Sequence, residues 1–318
     1  MILTITLFFI GLGGCAKKDL AELPATLVPG ITNAAEAYFS PDGQSLIFNA
    51  KLEGDTLYQT YTSRLDGSEL TRINDRGHDA CSFFFPDNSR ILYTSTRDNL
   101  DLPAGDWSNP QDYPAGAELY TCDLDGSNVV RLTDNQYYEA EGSLSPNGEW
   151  LLFGRQLDGK MDLWRMRPDG TEEFQITHTA DWQEGGSFYM PDNETILYRA
   201  WKIEDEGQRG MPMTIFTIKH DGTGFKQITD DPGTNWAPFP HPDGEHFAYV
   251  RVLPPHNFEI YIMNMVTGKN IRATYNDSFD GFPAFSPDGL LAFSSSRDVP
   301  KGERRLMLYT MDVSSLIK

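Results

Sequence analysis

The stretch AYFSPDGQSLIFNA (residues 37–50) sets two apolar segments on either side of Ser40-Pro41-Asp42-Gly43. Proline presets φ for a turn and glycine accepts positive φ, so the tetrapeptide reads as a tight reversal. The flanks are rich in aromatic and β-branched residues, which suit a pleated, half-buried surface. Alone, the segment reads as a β-hairpin.

It recurs five times: SFFFPDNSRILYTS (82–95), GSLSPNGEWLLFGR (142–155), SFYMPDNETILYRA (187–200), APFPHPDGEHFAYVR (237–251) and FPAFSPDGLLAFSSS (282–296). The turn prolines are Pro41, Pro86, Pro146, Pro191, Pro242 and Pro287, at spacings of 45, 60, 45, 51 and 45. Three equal intervals define one unit of 45 residues, with insertions of 15 and 6 in the second and fourth copies. A period of this length indicates a solenoid, a propeller or an array.

A second hairpin repeats inside the unit. TYTSRLDGSELTRIND (60–75), LYTCDLDGSNVVRLTD (119–134), LWRMRPDGTEEFQITH (163–178) and IFTIKHDGTGFKQITD (215–230) each read as strand, Asp-Gly turn, strand. A unit therefore holds four strands, A to D, and nothing between units reads as a helix. The expected fold is an all-β, six-bladed propeller with four antiparallel strands per blade. RRLMLYTMDVSSLIK (304–318) supplies strand C of the sixth blade. Residues 25–28 align with strand D, so the N-terminal strand is expected to close the ring and remove its open edge.

The repeated SPDG, the DGS turn and the Leu/Ile-Thr close of strand D (Leu132-Thr133, Ile176-Thr177, Ile228-Thr229) resemble the WD40-like repeats of the TolB propeller. The resemblance covers residues 25–318 and implies the propeller only, without the N-terminal domain of TolB. It implies fold more than function, since one fold hosts many functions.

Residues 2–12 form an apolar run too short to span a bilayer and of signal-peptide length. It ends in Leu12-Gly13-Gly14-Cys15, which resembles a bacterial lipobox. That implies a signal peptide over 1–14, acylation of Cys15, a short tether over 15–24, and a lipid-anchored envelope protein. The outer membrane or periplasm is favoured. The formal net charge of −20 argues against binding nucleic acid, and a monomer is expected. Cys81 and Cys122 fall on strands A and C of one blade, about 10 Å apart across strand B, and are expected free and buried.

None of the six histidines has zinc-site spacing, and there is no P-loop or Gly-x-Ser-x-Gly elbow. Seven residues before each turn proline stand Ala34, Asp79, Glu139, Glu184, Asn235 and Asp280, with Glu36 and Glu141 two positions further on. Strand A is the innermost strand, so these groups are expected around one channel mouth. Calcium at Asp79, Glu139, Glu184 and Asp280 is the candidate cation, because carboxylate oxygens suit a hard metal. Arg97, Arg155, Lys202, Arg251 and Arg297 end strand B on the same side and offer a salt-bridged alternative. Both insertions fall between strands B and C, hence on that same face. They carry Trp107, Tyr113 and Trp201, aromatic contact surface for a ligand.

The reading is a non-enzymatic envelope binding module holding a protein or glycan. The alternative is a propeller enzyme, a metal-assisted carbohydrate lyase or hydrolase. Oligogalacturonate lyases have a related propeller, but the histidine cluster expected for their metal has no counterpart here.

Overall fold

A computed structural model describes residues 22–135 and 137–317. The expected signal segment 1–14 and Cys15 lie outside the described residues.

Six four-stranded antiparallel sheets form the ring. Strands A to D are Ala34–Phe39, Ser45–Ala50, Gln59–Arg64 and Thr71–Arg72 in blade 1. In blade 2 they are Asp79–Phe84, Arg90–Ser95, Glu118–Asp123 and Val130–Arg131. Blade 3 comprises Tyr138–Leu144, Leu151–Leu157, Lys160–Met166 and Phe174–Gln175. Blade 4 comprises Trp182–Tyr189, Thr195–Lys202, Thr214–Lys219 and Lys226–Gln227. Blade 5 is built of Asn235–Pro240, His246–Leu253, Asn257–Asn264 and Asn270–Arg272. Blade 6 takes Asp280–Phe285, Leu290–Ser295 and Met307–Asp312 from the C-terminal part of the chain. Its strand D is Ala25–Leu27, paired antiparallel with Met307–Asp312. The N-terminal strand thus closes the ring, as its alignment with strand D implies.

Each blade is pinned by a cross-strand aromatic pair between strands B and C. The pairs are Phe48 with Tyr61, Tyr93 with Tyr120, Phe153 with Trp164, Tyr198 with Phe216, Tyr249 with Tyr261, and Phe293 with Tyr309. The strand B members are all buried. Such pairs contribute about 0.2–1 kcal/mol each relative to a pair of alanines. They pack into apolar clusters that bridge neighbouring blades; one joins Ile47 of blade 1 to Ile91, Tyr93 and Tyr120 of blade 2.

The Asp-Gly turns are self-contained. Asp66 accepts the Ser68 N–H at 3.0 Å and its hydroxyl at 2.6 Å, and Asp125 does the same with Ser127. Gly67 stands at φ +77, and a Cβ there would lie 2.0 Å from the Pro29 carbonyl oxygen of the closing segment. The threonine closing strand D has its own task. Thr133, Thr177, Thr229 and Thr274 accept the N–H of Leu119, Leu163, Ile215 and Ile260 on strand C.

Strand A carries a bulge at the same place in all six blades. Its register with strand B slips between Ala35 and Tyr38, Ala80 and Phe83, Ala140 and Ser143, Gly185 and Phe188, Trp236 and Phe239, and Gly281 and Ala284. The first bulged residue has positive φ in every case: Glu36, Cys81, Glu141, Gly186, Ala237 and Phe282. A bulge re-aims a side chain, and here all six line the central channel.

Candidate functional site

The channel-facing ring therefore includes Glu36 and Glu141, as expected, but in the other blades it lies two residues beyond the positions singled out in the sequence. Asp79, Glu139, Glu184, Asn235 and Asp280 are all at most 2 % exposed and sit between blades. The expectation of one acidic ring at the channel mouth is corrected: the strand pleat aims these side chains at the neighbouring blade, and only the bulged residue two places on turns into the channel. Asp79 accepts the Thr60 N–H at 2.9 Å and the Asn74 amide at 2.6 Å. Burial pushes its carboxyl up to about 6, against the hydrogen bonds from Ser95, Thr60 and Asn74. Glu139 is bound by Arg155 and by the Asn135 amide. Asp280 pairs with Arg297 at 2.9 Å and accepts from Asn276 at 2.6 Å. Asn235 donates to the Met213 carbonyl at 3.2 Å. Glu184 accepts from Thr179.

Of the strand B bases, Arg155 and Arg297 thus meet these carboxylates. Arg97 instead donates to the Tyr93 hydroxyl at 2.6 Å, Arg251 pairs with Asp231 at 3.2 Å, and Lys202 with Glu204 at 3.3 Å. The four carboxylates proposed for calcium do not converge. Among the described residues no group of three or more His, Cys, Asp or Glu is arranged to hold a metal ion. Cys81 and Cys122 are both free; Cys122 is buried, but Cys81 is only half-buried because its bulge turns it to the channel.

The channel floor is built from Glu36, Glu141 and Arg199. Glu141 accepts Arg199 at 2.8 Å and the Gly186 N–H. A Cβ on Gly186 would lie 2.0 Å from an Arg199 terminal nitrogen, so glycine there both supports φ +55 and admits the guanidinium. Burial works against that guanidinium's charge, but Glu141 holds its pKa above the ordinary value. Glu36 accepts the Asn49 amide at 3.0 Å and the Cys81 N–H at 3.3 Å on one oxygen, Oε2. Burial raises its carboxyl above the usual range; the Cys81 N–H opposes this and Glu141 adds to it.

Below this floor an aromatic plug crosses the axis. Tyr38 lies 5.3 Å from Phe83, 5.7 Å from Phe188 and 5.8 Å from Phe239. Blades 1 and 4 face each other, so Tyr38 and Phe188 meet across the channel. The plug separates an apolar mouth on the proline-turn side from a wider vestibule on the other.

Both insertions close over that vestibule. It has a volume of about 540 Å³ and is lined by Trp107 and Tyr113 of the first insertion. Trp201, Gln208, Gly210 and Met211 line it from blade 4 and its insertion, and Trp236, Phe258 and Phe282 from blades 5 and 6. Tyr113 stacks on Tyr138 at 4.0 Å, and Trp107 meets Tyr138 and His78 edge-on. Trp201 is buried, 2 % exposed, with its indole N–H on Glu206 at 3.3 Å. It supports the wall rather than offering open contact surface. The sequence analysis brought together the three aromatics and their face. It missed Arg199 and the aromatics of blades 5 and 6; the lone arginine mid-strand in an apolar strand B was the available signal.

A six-bladed, four-stranded propeller with a vestibule over a plugged channel defines the class. Comparison narrows it. No family model matches the chain. It is 29 % identical over 143 residues to an uncharacterized protein of Agrobacterium fabrum, covering 43 % of this chain and 48 % of that one. It is 25 % identical over 157 residues to a Protein TolB homolog of Chlorobium luteolum, covering 48 % of this chain and 32 % of the homolog. The matched regions span about half or less of these relatives' lengths. Among solved structures, a chain assigned as TolB from Agrobacterium tumefaciens superposes with TM-score 0.62 at 20 % identity, over 87 % of this chain and 89 % of that one. Oligogalacturonate lyase in complex with manganese gives TM-score 0.58 at 18 % identity, over 94 % and 96 %. The chain is a six-bladed β-propeller, similar in sequence to TolB homologues and in fold to a solved TolB chain.

Proposed function

We propose that this protein is a non-enzymatic binding module of the bacterial cell envelope, anchored through an acylated Cys15. It holds a protein or glycan ligand in the vestibule on the insertion-bearing face. The observation that carries the reading is the convergence of two insertions, from blades 2 and 4, on one aromatic-walled cavity with a charged floor. Concave, largely apolar cavities with a few convergent polar groups are the usual form of a ligand site. The lipobox-like Leu12–Cys15 segment and the TolB likeness support the envelope setting. The lyase reading rests on a likeness of fold.

The test is a screen of the full chain against peptide and glycan arrays, repeated with Met211→Trp, which fills the vestibule from its rim. Ligands are expected to compete with one another and to be lost in the variant. Ligands unaffected by Met211→Trp, or release of an unsaturated sugar product from uronate oligosaccharides, would overturn the reading.

A further inference from the structure

The vestibule floor contains a carboxylate with no counter-ion. Glu141 is matched by Arg199, which enters through the space left by Gly186. Glu36, on the same ring of bulged residues, has no basic side chain within ion-pair distance among the described residues. Its Oε2 is occupied by the Asn49 amide and the Cys81 N–H, and the Cys81 thiol, a weak donor, lies beside the same carboxyl. Glu36 nevertheless lines both the channel neck and the vestibule. A half-buried acid beside a second acid is costly to ionise, and an arriving cation relieves that cost.

The surroundings select the kind of cation. The neck has a volume of about 70 Å³. It is far narrower than the vestibule of about 540 Å³ above it, and so favours a compact head group. A guanidinium needs a planar pair of acceptors, whereas an ammonium is a compact point charge that one oxygen satisfies. Tyr38, Trp236 and Phe282 line the same neck, and aromatic rings there suit a cation. Above it, the aromatic walls suit an alkyl stem.

We propose that the vestibule floor is a subsite for a primary ammonium on a flexible alkyl stem, with Glu36 as its counter-ion. The stem lies along the aromatic walls, and its carrier is an extended peptide presenting a lysine side chain. The inference rests on the reading of the vestibule as the binding cavity and names what enters its deepest point.

Calorimetric titration of the full chain with Nα-acetyl-lysine N-methylamide, its norleucine counterpart and 1,5-diaminopentane tests it. The lysine probe is expected to bind at least tenfold tighter than the norleucine probe. Glu36→Gln should erase that preference at unchanged melting temperature. Arg199→Gln frees Glu141 as a second carboxylate and should strengthen lysine binding, a gain that damage to the fold does not produce. Equal binding of the diamine and the lysine probe keeps the ammonium subsite and makes a small amine, rather than a peptide, its ligand. Equal binding of the norleucine probe overturns the subsite while leaving the vestibule reading intact. So does a lysine preference that survives Glu36→Gln, or no binding of the lysine probe; Met211→Trp then judges the vestibule separately.

Discussion

The interface between blades 2 and 3 and the interface between blades 3 and 4 bury two acidic side chains at the same two positions. One lies at or near the start of strand C of the earlier blade and the other near the start of strand A of the next: Glu118 with Glu139, and Asp162 with Glu184. All four are at most 2 % exposed. Their company differs. Glu118 pairs with Arg131 at 3.0 Å, Glu139 with Arg155, and Asn135 bridges the two. The arrangement recurs between blades 5 and 6, where Arg272 and Arg297 hold Glu259 and Asp280 and Asn276 bridges. Between blades 3 and 4 both arginines are missing. Gln175 stands where Arg131 and Arg272 stand and donates to Asp162 at 3.1 Å, and Ala200 faces Glu184 on strand B where Arg155 faces Glu139. Lys160 lies 3.5 Å from Asp162. Burial pushes Glu184 up to about 8, the Thr179 hydroxyl opposing and the Asp162 carboxylate adding. Position alone thus does not decide how a buried acid behaves. Arginines meet both acids of one pair, although burial still raises the pKa of Glu118; the other pair lacks them, and burial raises both Asp162 and Glu184.

The sharpest way to break this comparison is to remove a clamp. Arg155→Met leaves Glu139 and Glu118 buried with one cation between them. Breaking such a pair costs about 3–5 kcal/mol. The urea midpoint should fall accordingly, whereas Lys202→Met, an exposed pair, should leave it nearly unchanged.

A smaller effect separates the two interfaces by pH. Glu184 has its folded pKa raised above the unfolded value, so the folded state binds its proton more tightly. Its stabilisation is complete below the unfolded carboxylate range near 4.5 and is lost as pH rises through about 8. The loss should not exceed about 1.4 kcal/mol per pH unit. Glu184→Gln, which fixes the neutral form beside Asp162, Thr177, Thr179, Lys160 and His178, should flatten melting temperature against pH in that window. An unchanged slope would place the titrating group elsewhere.

The smallest effect restores the missing clamp. Gln175→Arg should pair with Asp162 as Arg131 pairs with Glu118 and let both acids ionise. A gain of about 0.5–1 kcal/mol above pH 8 is expected, with the pH slope shifted downward. If the variant only destabilises, the two interfaces differ by more than their counter-charges.

The blade count, the strand order and the closing strand were legible because each rests on a period that the sequence repeats. Turn chemistry at Pro41-Asp42-Gly43 and Asp125-Gly126 is local and needs no tertiary context. The aromatic pairs between strands B and C were equally present in the quoted stretches, at Phe48, Tyr93, Phe153, Tyr198, Tyr249 and Phe293. The direction of the strand A side chains was not legible. A bulge inserts one residue into the pleat and turns everything after it, and no turn residue announces it: Glu36, Cys81, Ala237 and Phe282 share no chemistry. The acids at Asp79, Glu139, Glu184 and Asp280 were therefore assigned to the channel along with Glu36 and Glu141, and only the last two reach it. Arg199 reaches the floor from strand B only because Gly186 leaves space, a relation between two strands that one-dimensional patterning does not carry.

That bulge also has a bearing on how such a molecule diversifies. Each blade writes one letter into the channel, and here the word is Glu36, Cys81, Glu141, Gly186, Ala237, Phe282. The letters sit outside the strand ladder and away from the inter-blade clusters, so exchanging one leaves the hydrophobic core untouched, except at Gly186, where any side chain would displace Arg199. The toll is the left-handed backbone, about 1–2 kcal/mol for each side chain other than glycine, and it is already met at five of six positions. A duplicated hairpin has thereby become a six-place alphabet whose spelling can drift without the ring coming apart.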